Sequence, residues 1–262
     1  MILANRAFRT SLLLTALLAQ PAAAQLTLED IFLNRTYSTL PYRVAQWLEG
    51  GAAFLRISGV PGIRLAQRID AATGVETTLP VADWLQAAGE GTPTAWDSVG
   101  VSADGRWALI ATSDRRIWRR SHVARYYLHD RKNGTTRPLT DEERPQSNAR
   151  FSPDSRQLAY VMGGDLYALD LERGRTRRLT KDGSEAIING QADWLYEEEF
   201  SLTRAFKWSP DSRHIAFLRF DQGHVRSYVL KDDLGQYPRL TSVRYPKVGE
   251  QNSRVRLGVV EV

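Results

Sequence analysis

The 262-residue sequence contains no cysteine, which excludes a disulfide scaffold, a thiolate zinc site and a cysteine nucleophile together. Lysine is scarce too, and the arginines that replace it are scattered among 30 acidic residues, giving a net charge of +5. That excess is too small and too dispersed for a nucleic-acid surface. No Gly-x-Ser-x-Gly segment occurs, so the chain encodes no nucleophile elbow. The four histidines, His122, His129, His214 and His224, lack the spacing of a zinc site, and neither a metal nor a cofactor is expected. No apolar run approaches the roughly 20 residues of a spanning helix. What remains, 42% hydrophobic and 25% charged with 19 glycines and 11 prolines, is ordinary globular composition.

The first 25 residues read as an export signal. Arg6 and Arg9 precede an apolar stretch from Ser11 to Ala19, and Pro21 and Ala22-Ala23-Ala24 follow before Gln25. Cleavage after Ala24 is expected, leaving residues 1–24 as a secretory leader and a protein that is periplasmic or secreted.

Beyond the leader the chain repeats itself. Val101-Ser-Ala-Asp-Gly-Arg-Trp107, Phe151-Ser-Pro-Asp-Ser-Arg-Gln157 and Trp208-Ser-Pro-Asp-Ser-Arg-His214 share one pattern at offsets of 50 and 57 residues. Each reads as a strand end, a tight turn led by Ser and Asp, and a second strand. A second turn type interleaves with the first: Asp70 to Gly74, Asp130 to Gly134, Asp170 to Gly174 and a degenerate Asp232 to Gly235. Two hairpins per unit make a four-stranded blade, and serial blades make an all-β propeller. Residues 25–262 have room for four to five blades, an incomplete ring. The apolar strand at Val255 to Val262 has no turn or cap after it, which suggests a fragment of a larger protein.

One segment breaks the rhythm. In Asp193-Trp-Leu-Tyr-Glu-Glu-Glu-Phe200, Asp193 suits a helix N-cap and Glu197, Glu198 and Glu199 fall in the first turns, where the dipole favours anions. Trp194, Tyr196 and Phe200 are expected to anchor this short inserted helix against the blades. Three adjacent carboxylates repel, by roughly 4 kcal/mol per pair at 4 Å and an effective dielectric near 20, and a bound cation would relieve them.

This segment, together with Trp208-Ser-Pro-Asp211, Arg219-Phe-Asp221, Tyr245-Pro-Lys247 and Leu26-Thr-Leu-Glu-Asp30, resembles the N-terminal propeller of the dipeptidyl peptidase IV family. These are serine exopeptidases of the prolyl oligopeptidase clan. The resemblance implies that Glu198 and Glu199 bind the α-ammonium of a peptide with a free N-terminus, and that Arg119, in Trp118-Arg-Arg-Ser121, contacts the substrate carbonyl region. Arg120 beside it leaves the choice of arginine open. The resemblance further implies that X-Pro or X-Ala dipeptides are released by a serine of an α/β-hydrolase domain lying outside this chain. No catalytic residue is then expected within it, and a homodimer is compatible with the full-length protein. The competing reading is a non-catalytic periplasmic propeller that binds peptides or proteins.

N-terminal sequencing of the exported protein is expected to begin at Gln25. A chain still starting at Met1 would make the first segment an anchor instead.

Overall fold

A computed structural model describes residues 27–34, 44–60 and 62–262, so the expected leader lies outside the described residues. The chain divides into two units, 1–42 and 43–262. In the first, Glu29–Leu33 forms a single helical turn, opened by Thr27, whose hydroxyl oxygen accepts the Asp30 N–H at 3.1 Å. No helix among the described residues is long and apolar enough to cross a membrane.

The second unit is built of antiparallel sheets in sequence order. The first holds β1 (Val44–Leu48), β2 (Ala53–Val60), β3 (Ile63–Asp70) and β4 (Glu76–Leu79). The second holds β5 (Ser98–Val101), β6 (Trp107–Arg116), β7 (His122–Asp130) and β8 (Thr135–Pro138). The third holds β9 (Ser147–Phe151), β10 (Gln157–Met162), β11 (Asp165–Asp170) and β12 (Thr176–Arg178). In the fourth, β13 (Ile187–Asn189) and β14 (Phe206–Trp208) share one edge of β15 (His214–Asp221), and β18 (Arg254–Glu261) pairs with its other edge. One strand of each sheet, β1, β5, β9 and β14, borders a common hollow of about 720 Å³, as the inner strands of propeller blades border the axis. The expected propeller is therefore present, as four blades among the described residues.

Alternation along the strands explains how the blades stack. Ala108 and Ile110 of β6 pack against the first sheet with Leu55 and Ala66. Trp107 and Leu109, one residue out of phase, pack against the third with Leu158 and Tyr160. Ala159 and Val161 then turn the other way, onto Phe206 and Ile215 of the fourth. A strand covered on both faces is apolar at both parities, and six consecutive residues of β6, from Trp107 to Thr112, are buried.

The Ser-x-Asp turns both close the hairpins and join the blades. In each the serine hydroxyl donates to the aspartate, Ser102 to Asp104 and Ser152 to Asp154 at 2.6 Å and Ser209 to Asp211 at 2.5 Å. The residue after the aspartate is left-handed: Gly105, Ser155 and Ser212 at φ 74°, 61° and 60°. Glycine is the unstrained choice there. Ser155 and Ser212 are instead buried, and each hydroxyl accepts an N–H from the preceding blade, Asp104 at 3.2 Å and Asp154 at 3.1 Å. Between the first and second blades the link comes from Gln46, whose amide exchanges two bonds with the Val101 backbone at 2.5 and 2.9 Å.

The second turn type also forms where expected, with Gly74, Gly134 and Gly174 each donating to the carbonyl of the aspartate four residues back. Its fourth copy is a correction. Asp232 to Gly235 does turn a hairpin, but it joins β16 (Ser227–Asp232) to β17 (Arg239–Arg244), which form a separate two-stranded ribbon between β15 and β18. The third strand of the fourth blade is β18.

Ser155→Ala is expected to lower stability by about 1 kcal/mol, because the Asp104 N–H loses its acceptor. Ser155→Gly loses the same bond but relieves a left-handed strain of order 1 kcal/mol, so urea unfolding should place it between Ala and wild type. Equal losses for both variants would refute the strain argument.

Candidate functional site

The inner strand of the fourth blade is split, and residues 190–205 leave the sheet between β13 and β14 to form helix α1 (Trp194–Phe200). The N-cap is as expected: Asp193 Oδ1 accepts the Tyr196 N–H at 3.0 Å. The Ser253 hydroxyl, just ahead of β18, donates to the other oxygen of the same carboxylate. Ala192, Ala205 and Phe220 form a small core beneath the helix, and Tyr196 packs on it with its ring edge-on to Phe220 at 5.0 Å.

The anchoring aromatics behave differently from one another. Tyr196 is an anchor. Trp194 packs on Tyr245 at a ring separation of 4.7 Å, at the end of the β16–β17 ribbon, and borders a hollow of about 650 Å³ with Tyr228 and Leu230. Phe200 is 68% exposed and touches the Tyr196 ring alone among aromatic partners of the described residues, so its expected anchoring role is not met. It lies at the helix C-terminus, beyond the surface of the small core.

Helical phase also separates the three glutamates. Successive side chains point about 100° apart, so residues adjacent in sequence do not face one another. Glu197 is fully buried, Glu198 is half-buried, and Glu199 is exposed. Only Glu197 lies in the first turn. The expectation that all three enjoy the positive end of the dipole is therefore corrected. Glu198 and Glu199 stand toward the C-terminal end, where the dipole opposes them.

The second blade supplies the other wall. Residues 117–121 connect β6 to β7, and the loop is closed by the Ile117 N–H on the Ser121 carbonyl at 2.9 Å. Its base is held by Asp114, whose N–H meets Asp97 at 2.8 Å and whose carboxylate lies 2.8 Å from His122 Nδ1. Glu197 Oε1 accepts two backbone N–H groups of this loop, Arg120 at 2.6 Å and Ser121 at 3.0 Å. The Arg120 guanidinium in turn donates to the Glu197 carbonyl at 3.4 Å. One residue along on each side, Arg119 Nε lies 3.1 Å from Glu198 Oε2. Of the two candidate arginines, Arg119 pairs with Glu198, while Arg120 turns back onto the helix backbone.

This contact joins the fourth blade to the second, passing the third. The β10–β11 connection of the third blade is only Gly163-Gly164, at φ 58° and 82°. A Cβ on Gly164 would sit 2.8 Å from the Ile187 carbonyl oxygen, so a longer or bulkier turn would collide with the start of the fourth blade.

Glu197 is the residue that reading the motif for charge alone misses. Phase would have found it, because it lies on the turn above Asp193, one step from the core-facing Tyr196. Arg119 uses only Nε on Glu198, and a guanidinium has four further N–H donors. For these, and for the Glu199 carboxylate, no acceptor or cation occurs among the described residues. The helix and the 117–121 loop together form a rim that offers one paired carboxylate, a free carboxylate next to it in sequence but turned to a different side of the helix, and spare arginine donors, a donor set that suits a ligand carrying a cation beside a hydrogen-bond acceptor. Among the described residues, no group of His, Asp and Glu side chains could hold a metal ion.

With this geometry in view, comparison with known proteins is decisive. The family described as the dipeptidyl peptidase IV (DPP IV) N-terminal region matches residues 102–262. The chain belongs to that family. It is 35% identical over 162 residues to a probable dipeptidyl peptidase 4 of Arthroderma benhamiae, covering 59% of this chain and 21% of that protein. It is 32% identical over 169 residues to dipeptidyl aminopeptidase B of Saccharomyces cerevisiae, covering 62% of this chain and 20% of that one. The crystal structure of Porphyromonas gingivalis dipeptidyl peptidase 4 superposes with a TM-score of 0.78 at 27% identity, over 89% of this chain and 33% of that one. The chain thus spans about a fifth of the length of these two relatives.

The different burial of the two aromatics is testable. Tyr196→Ala is expected to destabilise by roughly 2 kcal/mol, less than a fully buried aromatic, whereas Phe200→Ala should stay within about 1 kcal/mol. Thermal unfolding that ranks Phe200 above Tyr196 would contradict the packing described.

Proposed function

We propose that this chain carries the substrate amine site of an exported dipeptidyl peptidase whose nucleophile lies outside these residues. Glu198 and Glu199 bind the protonated N-terminus of a peptide, and Arg119 directs its spare donors at the first carbonyl groups. The observation that carries this reading is the ion pair between blades, Arg119 on Glu198, with the exposed Glu199 following Glu198 in sequence and unpaired among the described residues. Membership of the family supports it.

The chemistry follows from charge and length. An ammonium between two carboxylates makes charge-assisted bonds, and it relieves a helix end that disfavours both anions. Glu198 is not exhausted by Arg119, because a carboxylate accepts several hydrogen bonds. Two extended residues span about 7 Å, so an amine anchor held that far from a nucleophile measures out a dipeptide. X-Pro and X-Ala peptides are the substrates proposed. Residues 1–24 would direct the protein through the membrane, to the periplasm or beyond.

In the full-length protein, Glu199→Gln or Glu198→Gln is expected to lower kcat/KM on a glycyl-prolyl chromogenic substrate by roughly 10- to 150-fold, the equivalent of one charge-assisted bond. Labelling by a small fluorophosphonate should be preserved. An N-acetylated substrate should be turned over poorly at every pH. With free amines, kcat/KM should fall above the amine pKa of about 7.7–8.0, because only the cation is bound. Wild-type kcat/KM in the Gln variants, or comparable cleavage of the acetylated peptide, would remove the acidic pair from the site.

A further inference from the structure

We infer that Glu197 is the positioning residue of this rim: its buried carboxylate sets the spacing of Arg119 and Glu198 and so determines amine affinity without touching substrate. The inference rests on the amine-site reading above and adds to it a residue that the reading leaves idle.

The geometry is specific. Glu197 has no exposed surface, yet its Oε1 holds two successive backbone N–H groups from a loop more than 70 residues away in sequence. The Arg120 guanidinium returns a bond to the Glu197 backbone, so helix and loop are tied from both sides. Arg119 immediately precedes the two donors and Glu198 immediately follows the acceptor. The tie and the ion pair are therefore consecutive rungs between the same two segments. A shift of the tie moves the ion pair by the same amount.

A purely structural role would not call for this residue type. Burying a carboxylate away from water is unfavourable unless its oxygens are bonded, and an apolar side chain of similar volume commonly gives equal or greater stability at a buried ionic position. Here the burden is visible: Glu197 Oε2 and the Ser121 hydroxyl are both buried without a partner among the described residues. What the carboxylate does supply is a strong acceptor for two parallel donors, which fixes a loop more tightly than packing does. Function-bearing groups need to be held within about half an ångström by such neighbours. The loop carrying Arg119 is otherwise hydrogen-bonded at its base, by Asp114, Asp97 and His122, and among the described residues its tip has no side-chain hydrogen bond except those to the helix.

The predicted signature is a loss of amine recognition with the nucleophile intact. The experiment uses the full-length protein, with glycyl-prolyl and N-acetyl-glycyl-prolyl chromogenic substrates and fluorophosphonate titration of the serine. Glu197→Ala is expected to raise KM for the free-amine substrate about 10-fold or more, the worth of a bond to a charged acceptor. It should reduce the preference for the free amine over the acetylated peptide by a similar factor and leave the fluorophosphonate rate per folded molecule unchanged. Glu197→Gln, whose amide oxygen can still accept both N–H groups, should recover most of that loss. Glu197→Asp keeps the charge but withdraws the oxygen by one methylene, and it should behave like Ala. It also carries the test if the Ala variant does not fold.

A folded Ala or Asp variant with wild-type KM and amine preference would overturn the inference, as would a Gln variant as impaired as Ala. Glu199→Gln, run in parallel, separates the two levels. If it loses amine preference while the Glu197 variants keep it, the positioning role alone fails. If it too keeps wild-type behaviour, the amine-site reading fails with it.

Discussion

A buried carboxylate bonded to two successive backbone N–H groups is the joint on which the candidate site hangs. Propeller blades are independent sheets stacked side by side, and a side chain presented from one blade has no built-in register with a side chain from the next but one. Glu197 supplies that register. It brings the helix inserted in the fourth blade onto the β6–β7 loop of the second, and the ion pair between Arg119 and Glu198 follows from it. Without the joint, only the Arg120 bond to the helix backbone and the Arg119–Glu198 ion pair tie the two walls directly.

The joint can act only because the blades beneath it do not slide. Their stacking is mostly apolar, through clusters that alternate along β6 and β10, and apolar contact is non-directional. Direction comes from a few polar links: the Gln46 amide on Val101, and the Ser155 and Ser212 hydroxyls on the preceding turns. At the two serine positions a left-handed backbone is accepted without glycine, which is the local rule broken in favour of a non-local bond. The short Gly163-Gly164 turn is the complementary device, since its lack of side chains lets the third blade approach the backbone at the start of the fourth.

The fold was legible in the sequence because its determinants are local. Strand alternation and Ser-Pro-Asp or Asp-to-Gly turns act over fewer than ten residues and recur, so their order reveals blades. The same locality explains the misassigned copy. Asp232 to Gly235 carries hairpin chemistry and does form a hairpin, but turn chemistry does not say which sheet the hairpin joins. At the site, Asp193 as N-cap was within reach, whereas the pairing of Arg119 with Glu198 was not, because it joins two blades that are not neighbours. The separate environments of the three glutamates were not, because adjacency in sequence suggested a cluster where helical geometry gives three directions. Phe200 misled for a related reason: at the last turn of a short helix, the core that would bury it has already ended.

The acidic pair sits at the less favourable end of its helix, and that placement bears on how a ligand would be held. At an N-terminus the dipole and the capped N–H groups would already stabilise the carboxylates, and a bound cation would add less. Toward the C-terminus the same carboxylates are opposed by the dipole, are only partly relieved by one Arg119 nitrogen, and gain more when a cation arrives. Arg119 limits that gain deliberately in one direction: it orients Glu198 but leaves Glu199 alone. The rim thus keeps one carboxylate fixed and one free, which, on the proposed amine-site reading, would give an ammonium both a geometric reference and an uncommitted charge to meet. Tying Arg119 through the neighbouring Glu197 bonds, rather than through a second acid, preserves the net negative character of the rim, because the positioning charge is buried and spent on backbone donors.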